Sequence, residues 1–526
     1  MKIIQLCIYS LLLALLAVGC GTKKKRILEA DTPEVSTPPV SSVRAPEAWK
    51  PPMGDSIRYE MRAVWLTTAY GLDWPSVKAD TPNGIRRQQQ ELDRILDRLK
   101  QDGYNTVFFQ ARLSGSVIYP SKTEPFAHRL FTTTGQPPAY DPLAYAVEAC
   151  HRRGLAIHAW LVTYPIVSSR KSAHPILIKN PSWAIAHKGS RHLDPGNPAV
   201  RTYIAKLAEE VVRGYNVDGI HFDYFRYPEE AERFNDNASY ARYGNGLSRE
   251  DWRRQNLSEQ LVEINEVVRK IRPEIQISVA PLGKLRKLPT LARPHGWTAY
   301  ESVFQDVEAW ANARLVDFVA PMMYYKDDLY EPFLVDWMER VGKKIPVIAG
   351  LAPYRISESG WSAQTIADQI RLARRYGAGG VSMFREANIG HKEPLLRTLI
   401  QHEFRHLALP LPLYGRAMPR AGEPTDLTIE QDKNIIRLSW RMPIGGTKAT
   451  YRVWAKITHP DGRTEGIMLV QGLKEQSCAL RISEFPSEDC IELGVEAVNT
   501  AGLATACRMP VEFNLANARL TQVQMR

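Results

Sequence analysis

Between Met61 and about Phe404 one pattern recurs eight times: a short apolar run, then an amphipathic stretch at helical spacing. The runs lie at 62–67, 106–112, 156–162, 219–225, 276–280, 317–324, 346–351 and 380–384. Strands this short and this uniformly apolar are those of a parallel sheet covered on both faces. The stretches between them lie at 91–101, 141–152, 200–213, 258–271, 303–311, 334–341, 365–376 and 394–402. They place apolar residues three or four apart, as Leu92, Ile95, Leu96 and Leu99 do, which is the apolar stripe of a surface helix. Gly103, Gly154, Gly214 and Gly377 fall just past helix ends, where a left-handed residue closes the last turn. Eight such units in succession predict an α/β chain folded as a (β/α)₈ TIM barrel over residues 58–408. A doubly wound sheet is the alternative, and no GxGxxG turn follows the first strand to support it. Extra length falls after strands, at 113–140, 163–198, 226–251 and 281–300. That is the face on which barrels carry their sites, and long loops there predict a groove for an extended substrate.

What flanks the repeat has a different character. Met1-Lys2 is followed by an almost wholly apolar run to Val18, ending Ala17-Val18-Gly19-Cys20. This resembles a bacterial lipobox and implies a signal peptide over 1–19 with lipidation of Cys20. Residues 20–57 read as a tether, with Pro33, Pro38, Pro39, Pro46, Pro51 and Pro52 among Ser, Thr and Val. Lys23, Lys24, Lys25 and Arg26 would sit against anionic headgroups. The expected location is the outer membrane, facing the periplasm, held there by the lipid on Cys20. After a linker at 409–421, residues 422–516 switch to alternating strands at 434–440, 449–456, 465–470, 477–482, 491–498 and 506–512, with a tail at 517–526. The segment Glu492-Leu493-Gly494-Val495-Glu496-Ala497-Val498-Asn499-Thr500-Ala501-Gly502, with Trp440 upstream, resembles a fibronectin type III domain and implies a small all-β sandwich. A net charge of +11 favours anionic partners, but no zinc-finger or RNA-binding spacing occurs, so nucleic acid is excluded as a partner. Cys150 stands alone in a helical stretch, and one pair among Cys478, Cys490 and Cys507 can bridge. No CxxC or His/Cys set calls for a metal or a cofactor.

Side chains alternate across a strand, so period 2 groups the residues that share the barrel interior. On the fourth strand these are His221 and Asp223; on the third, His158 and Trp160; on the second, Gln110 and Arg112; on the sixth, Met322 and Tyr324; on the eighth, Ser382, Phe384 and Glu386. Trp65 lies in the first strand, and Tyr224 follows Asp223. An aromatic rim with carboxylates suits sugars, because ring faces stack on apolar CH groups and carboxyls handle glycosidic bonds.

Five motifs occur in order: Glu60-Met61-Arg62-Ala63-Val64-Trp65-Leu66-Thr67, Phe109-Gln110-Ala111-Arg112, Leu193-Asp194-Pro195-Gly196-Asn197-Pro198, Asp218-Gly219-Ile220-His221-Phe222-Asp223-Tyr224-Phe225 and Ala320-Pro321-Met322-Met323-Tyr324. They resemble the glycosyl-hydrolase-like family 10 of bacterial lipoproteins over roughly 58–400, which implies hydrolysis of glycans, with peptidoglycan strands among the family's substrates. A more distant likeness is to family 18 chitinases. Asp218 and Asp223 match two aspartates of their fourth-strand motif, but His221 replaces a third and Phe225 stands where the catalytic glutamate would be. Hydrolysis needs one protonated carboxyl and one ionised partner. Asp223 is the first candidate; Glu386 and Asp194 compete for the second role, with Asp327 and Asp328 behind them. Arg112, Trp160, His221, Tyr224, Tyr324, Trp65 and Gln110 are candidate contacts to a polysaccharide. Two alternatives stay open: a non-catalytic glycan-binding lipoprotein, and a metal-dependent hydrolase or deacetylase using His158, His221 and Asp223.

Overall fold

The computed structural model describes residues 59–521 apart from 168–173, 292–295, 391–392, 406–407, 414–420, 433, 443–448, 459–463, 482–489, 500–504, 506–507 and 515–518. The signal segment, Cys20 and the tether lie outside the described residues. Eight parallel strands form one sheet: β1 Met61–Leu66, β2 Thr106–Leu113, β3 Ala156–Val162, β4 Gly219–Asp223, β5 Gln276–Val279, β6 Phe318–Val319, β7 Ile348–Leu351 and β8 Gly380–Phe384. Their order is β6-β5-β4-β3-β2-β1-β8-β7, and parallel bridges Val319–Val347 and Met322–Gly350 close the ring between β6 and β7. The (β/α)₈ barrel is therefore the fold.

Each strand is followed by helix: α1 Pro82–Gln101, α2 Pro142–Arg152, α3 Pro198–Gly214, α4 Arg249–Ile271, α5 Val307–Asn312, α6 Tyr330–Trp337, α7 Ala363–Arg375 and α8 Pro394–Glu403. Outward strand residues such as Val64, Phe109, Ile157, Ile220 and Val381 pack with helix residues such as Leu92, Leu96 and Ile370 into one core. Inward residues Met61, Ala63, Trp65, Phe108, Trp160, Phe318 and Ile348 form a second cluster inside the barrel. The two clusters are the two faces of one sheet, as alternation requires.

Departures from expectation have local causes. α1 begins at Pro82, well before 91, because Thr81 caps it by accepting from the Gly84 N–H and proline starts its first turn. That turn is polar, so hydrophobic spacing does not show it. β6 is only Phe318–Val319, because Pro321 has no N–H to continue a ladder. Gly103, Gly154 and Gly377 have φ of 84°, 67° and 77°, as expected after helix ends. Gly214 instead closes α3 within the helix.

The C-terminal region forms two antiparallel sheets. One has three strands (Thr425–Asp432, Ile435–Arg441, Ser477–Arg481); the other has five (Thr464–Leu473, Ala449–Thr458, Cys490–Asn499, Arg508–Asn514, Arg519–Thr521). Ile436, Leu438, Trp440, Val453, Leu493 and Val495 share its core. Its strand Thr464–Leu473 bulges at Gly472, which faces Gly154 just before β3, and Gln471 Nε2 donates to the Gly154 carbonyl at 3.4 Å. The contact is thus with the end of the barrel opposite the mouth. Cys150 and Cys478 are free thiols, and the side chains of Cys490 and Cys507 lie outside the described residues.

Candidate active site

Asp223 ends β4 at the C-terminal mouth of the barrel. Gly219, His221 and Asp223 face inward along this strand. A Cβ on Gly219 would lie 2.2 Å from Nδ1 of His158, so only glycine lets the two strands bring His158 inside. Asp223 is 7% exposed. Trp160 Nε1 donates to its Oδ2 at 3.2 Å, and the Tyr224 backbone N–H donates to its Oδ1 at 2.7 Å. Burial pushes the Asp223 carboxyl above its ordinary pKa; Arg226 and the two hydrogen bonds pull it back in part. Arg226 is the one ionised side chain acting on Asp223 among the described residues.

The chain turns sharply after the carboxylate. Tyr224 has φ of 47°, a left-handed conformation that a side chain with a Cβ adopts at a cost of roughly 1–3 kcal/mol. Its ring is 40% exposed, and the Arg226 guanidinium lies over it, 4.7 Å from the centroid. Arg226 Nη2 donates to Glu229 Oε1 at 2.7 Å. Opposite Tyr224 stands an aromatic group. Tyr324 and Phe384 have ring centroids 5.6 Å apart, Tyr354 lies 5.9 Å from Tyr324 and 6.0 Å from Phe384, and Trp65 lies 6.0 Å from Phe384. Burial raises the Tyr324 hydroxyl, and the charge of Asp223 adds to it, which places Tyr324 beside the carboxylate. Tyr354 was missed by motif reading. It follows β7 in Ala352-Pro353-Tyr354, an aromatic just past a strand end like Tyr324, and that signal could have found it.

The structure corrects several assignments. Glu386 is buried and ion-paired to Arg98 of α1, outside the barrel. β8 ends at Phe384 and a 3-10 turn takes over at Glu386, so strand parity does not reach it. Asp194 is 2% exposed. It accepts the Gly196 N–H at 2.9 Å and the Ser239 hydroxyl, and burial pushes it up to about 6. It pins the loop after β3 to the loop after β4. Asn197 caps α3, its side chain accepting from the Ala199 N–H.

Arg112 also lies outside the barrel. The β2–β3 register slips between Gln110 and Arg112, so Gln110 pairs with Trp160 while Arg112 pairs with the outward Leu161. A bulge of one residue reverses every later side chain. Arg112 donates to both oxygens of Glu124, at 2.8 and 2.5 Å, and to the Thr163 carbonyl at 2.8 Å.

His221 faces inward but is too deep for a sugar contact. It is fully buried, its ring stacks on Phe108 at 4.1 Å, Nε2 accepts from Trp65 Nε1 at 3.1 Å and Nδ1 meets Ser278 Oγ at 2.9 Å. Accepting from an indole fixes Nε2 as unprotonated, and burial holds the ring neutral. With both nitrogens committed, His221 cannot ligate a metal with His158 and Asp223 without breaking these bonds. Trp65, 2% exposed, is floor beneath Phe384 and not an open stacking face. Gln110 Oε1 accepts from Thr67 Oγ1 and from the N–H groups of Thr68 and Ala69, which supports the loop after β1. Asp327 and Asp328 are exposed after β6.

A buried carboxyl with a raised pKa, flanked by tyrosines at this end of a (β/α)₈ barrel, defines the protein as a carbohydrate-active barrel enzyme. Comparison with known proteins agrees. The family model described as glycosyl hydrolase-like 10 matches residues 60–364, more than half of the chain. Glycosyl hydrolase DigH of Escherichia coli O6:H1 is 34% identical over 352 residues, covering 61% of this chain and 80% of its own. Glycosyl hydrolase YngK of Bacillus subtilis is 28% identical over 437 residues, covering 78% and 84%. Among solved structures, alpha-L-fucosidase isoenzyme 2 from Paenibacillus thiaminolyticus aligns with a TM-score of 0.46 at 13% identity, covering 66% of this chain and 49% of its own. The chain belongs to the glycosyl hydrolase-like 10 family and is a glycoside hydrolase.

Proposed function

We propose that the enzyme is a lipid-anchored hydrolase of a cell-envelope polysaccharide, with peptidoglycan glycan strands the favoured substrate and Asp223 the general acid. One observation carries the assignment of Asp223: it is the carboxyl held at the barrel mouth by an indole N–H and a backbone N–H, next to Tyr224 and Tyr324. A raised pKa favours the protonated form, which a proton donor to a leaving oxygen requires. The aromatic group across from it supplies stacking faces for the sugar. The lipobox at Cys20 and the proline-rich tether support placement on a membrane with reach toward the cell wall.

The test uses a soluble form beginning at Gly21 and its Asp223→Asn variant. Both are incubated with intact peptidoglycan, peptide-free glycan strands and other polysaccharides, and products are read by mass spectrometry. The parent releases saccharides carrying one added water. The variant loses about 10²–10⁴-fold in rate, the scale of a general acid. Equal rates would remove Asp223 from the chemistry, and binding without cleavage by both would favour a glycan-binding lipoprotein. Recovery of the full-length protein from the soluble fraction, without lipid, would sink the anchoring.

A further inference from the structure

The loop after β1 holds apolar side chains in solvent where the fold has no use for them. Tyr70 is 78% exposed and Leu72 50%, yet their loop is pinned at both ends. Gln110 Oε1 gathers three donors at its start, at 2.7, 3.0 and 2.9 Å. At its end Asp73 accepts the N–H groups of Thr67 and Ala387 at 2.8 and 3.0 Å and pairs with Arg385 at 2.5 Å. Trp74 behind it is fully buried and donates to the Gln88 carbonyl at 2.9 Å. Tyr70 itself has φ of 54°, a region that non-glycine residues seldom adopt. Such a conformation persists only where the surroundings dictate it, and it concentrates where ligands are held. The loop that carries the ring is already ordered, so a ligand that stacks on it gives up little freedom in ordering that loop.

Position gives this ring a direction. β1 adjoins β8, and the Asp73–Arg385 pair ties the loop to the residue after Phe384. Tyr70 therefore stands on the side of the mouth where the rings of Phe384, Tyr354 and Tyr324 lead away from Asp223. A second exposed ring, Trp297 at 50%, lies on the loop after β5. In the closed order of eight strands β1 and β5 are four apart, which is across the barrel. Asp223 and the aromatic group lie between them.

We propose that Tyr70 is an outer sugar-stacking platform at one end of a groove crossing the mouth, with Trp297 toward the other end, so that the enzyme binds and cuts an internal segment of a glycan chain. The proposal rests on the polysaccharide reading above. Tyr70→Asn removes the ring while keeping a residue that tolerates the left-handed backbone; Tyr70→Phe keeps the ring. The substrates are peptide-free peptidoglycan strands and the shortest fragment of them that the parent still cleaves. Tyr70→Asn raises KM on long strands by about 3- to 10-fold, the worth of one aromatic stack. It leaves the shortest fragment and the melting temperature as in the parent, and Tyr70→Phe matches the parent throughout. Early products of the parent are long pieces from the chain interior. An unchanged KM on long strands, an equal loss on long and short substrates, or release only from chain ends each overturns the proposal. Failure of the parent to cleave either substrate overturns the polysaccharide reading, and this inference with it.

Discussion

Glu386→Gln separates the two roles that a carboxylate after β8 can have. Glu386 is 3% exposed and pairs with Arg98, whose side chain is 14% exposed. Gly390 is packed so closely that an added Cβ would lie 3.1 Å from Arg98 Cζ, so the guanidinium has little room to swing toward water. Removing one partner of a buried ion pair costs about 3–5 kcal/mol. Here Asp102 also acts on Arg98 and offsets part of the loss, and the amide keeps the volume and one acceptor, so about 2–3 kcal/mol is expected. In a chain this large each kcal/mol moves the melting midpoint by roughly 2 °C, giving a fall of about 4–6 °C. Urea titration followed by tryptophan fluorescence measures the stability, and initial rates at a temperature where both proteins are folded measure the chemistry. The expected kcat is the parent's to within about twofold. A loss of 10²-fold or more in kcat, the scale of a missing acid or base, with an unchanged midpoint would refute the structural role and return Glu386 to the active site.

Asp194→Asn tests the other displaced carboxylate through pH. Its folded pKa is raised by burial from 3.8 to about 6, so its contribution to stability is full below the unfolded pKa and is lost as pH rises through about 6, a swing of about 3 kcal/mol. The amide can still accept from the Gly196 N–H and donate to Ser239, so denaturation midpoints of the variant should stay level between pH 4 and 7, where the parent's fall, with kcat unchanged; a pH profile parallel to the parent's would contradict the raised pKa. Trp160→Phe removes an N–H that favours the ionised form of Asp223, so the Asp223 pKa rises further. If Asp223 acts in its protonated form, the high-pH limb of kcat moves to higher pH; a limb that stays put or moves down would assign it another role.

The barrel was legible because parallel strands bury both faces, so all eight apolar runs stand out whatever the loops do. Boundaries failed where the signal was not hydrophobic. The first turns of α1 are held by a threonine cap and a proline, and the short β6 by a missing N–H at Pro321. At the site, period 2 worked while strands stayed regular: Trp160 and Asp223 meet as their shared parity requires, and Tyr324 lies beside them. It failed at Arg112, where one bulged residue turns the chain over, and at Glu386, where a 3-10 turn replaces the strand. For His221 parity was right and depth was not visible: alternation says which way a residue faces, but not which layer of the barrel interior it fills.

The surroundings of Asp223 also bear on how the bond is broken. Two carboxyls about 5 Å apart, as a retaining enzyme with a protein nucleophile needs, strongly perturb each other's ionisation. Arg226 is the charged side chain that acts on Asp223, and both rivals for the partner role are held elsewhere by Arg98 and by Ser239. Two arrangements fit these surroundings: a base farther off, at roughly 6.5–9.5 Å, which inverts the anomeric centre, or participation by a 2-acetamido group of the substrate, which retains it. Proton NMR of the first anomer released decides between them. Inversion assigns a distant base on a mouth loop. Retention that vanishes when the acetamido group is replaced by hydroxyl assigns the nucleophile to the sugar. Retention on a substrate lacking that group would require a protein nucleophile beside Asp223 and would refute both arrangements.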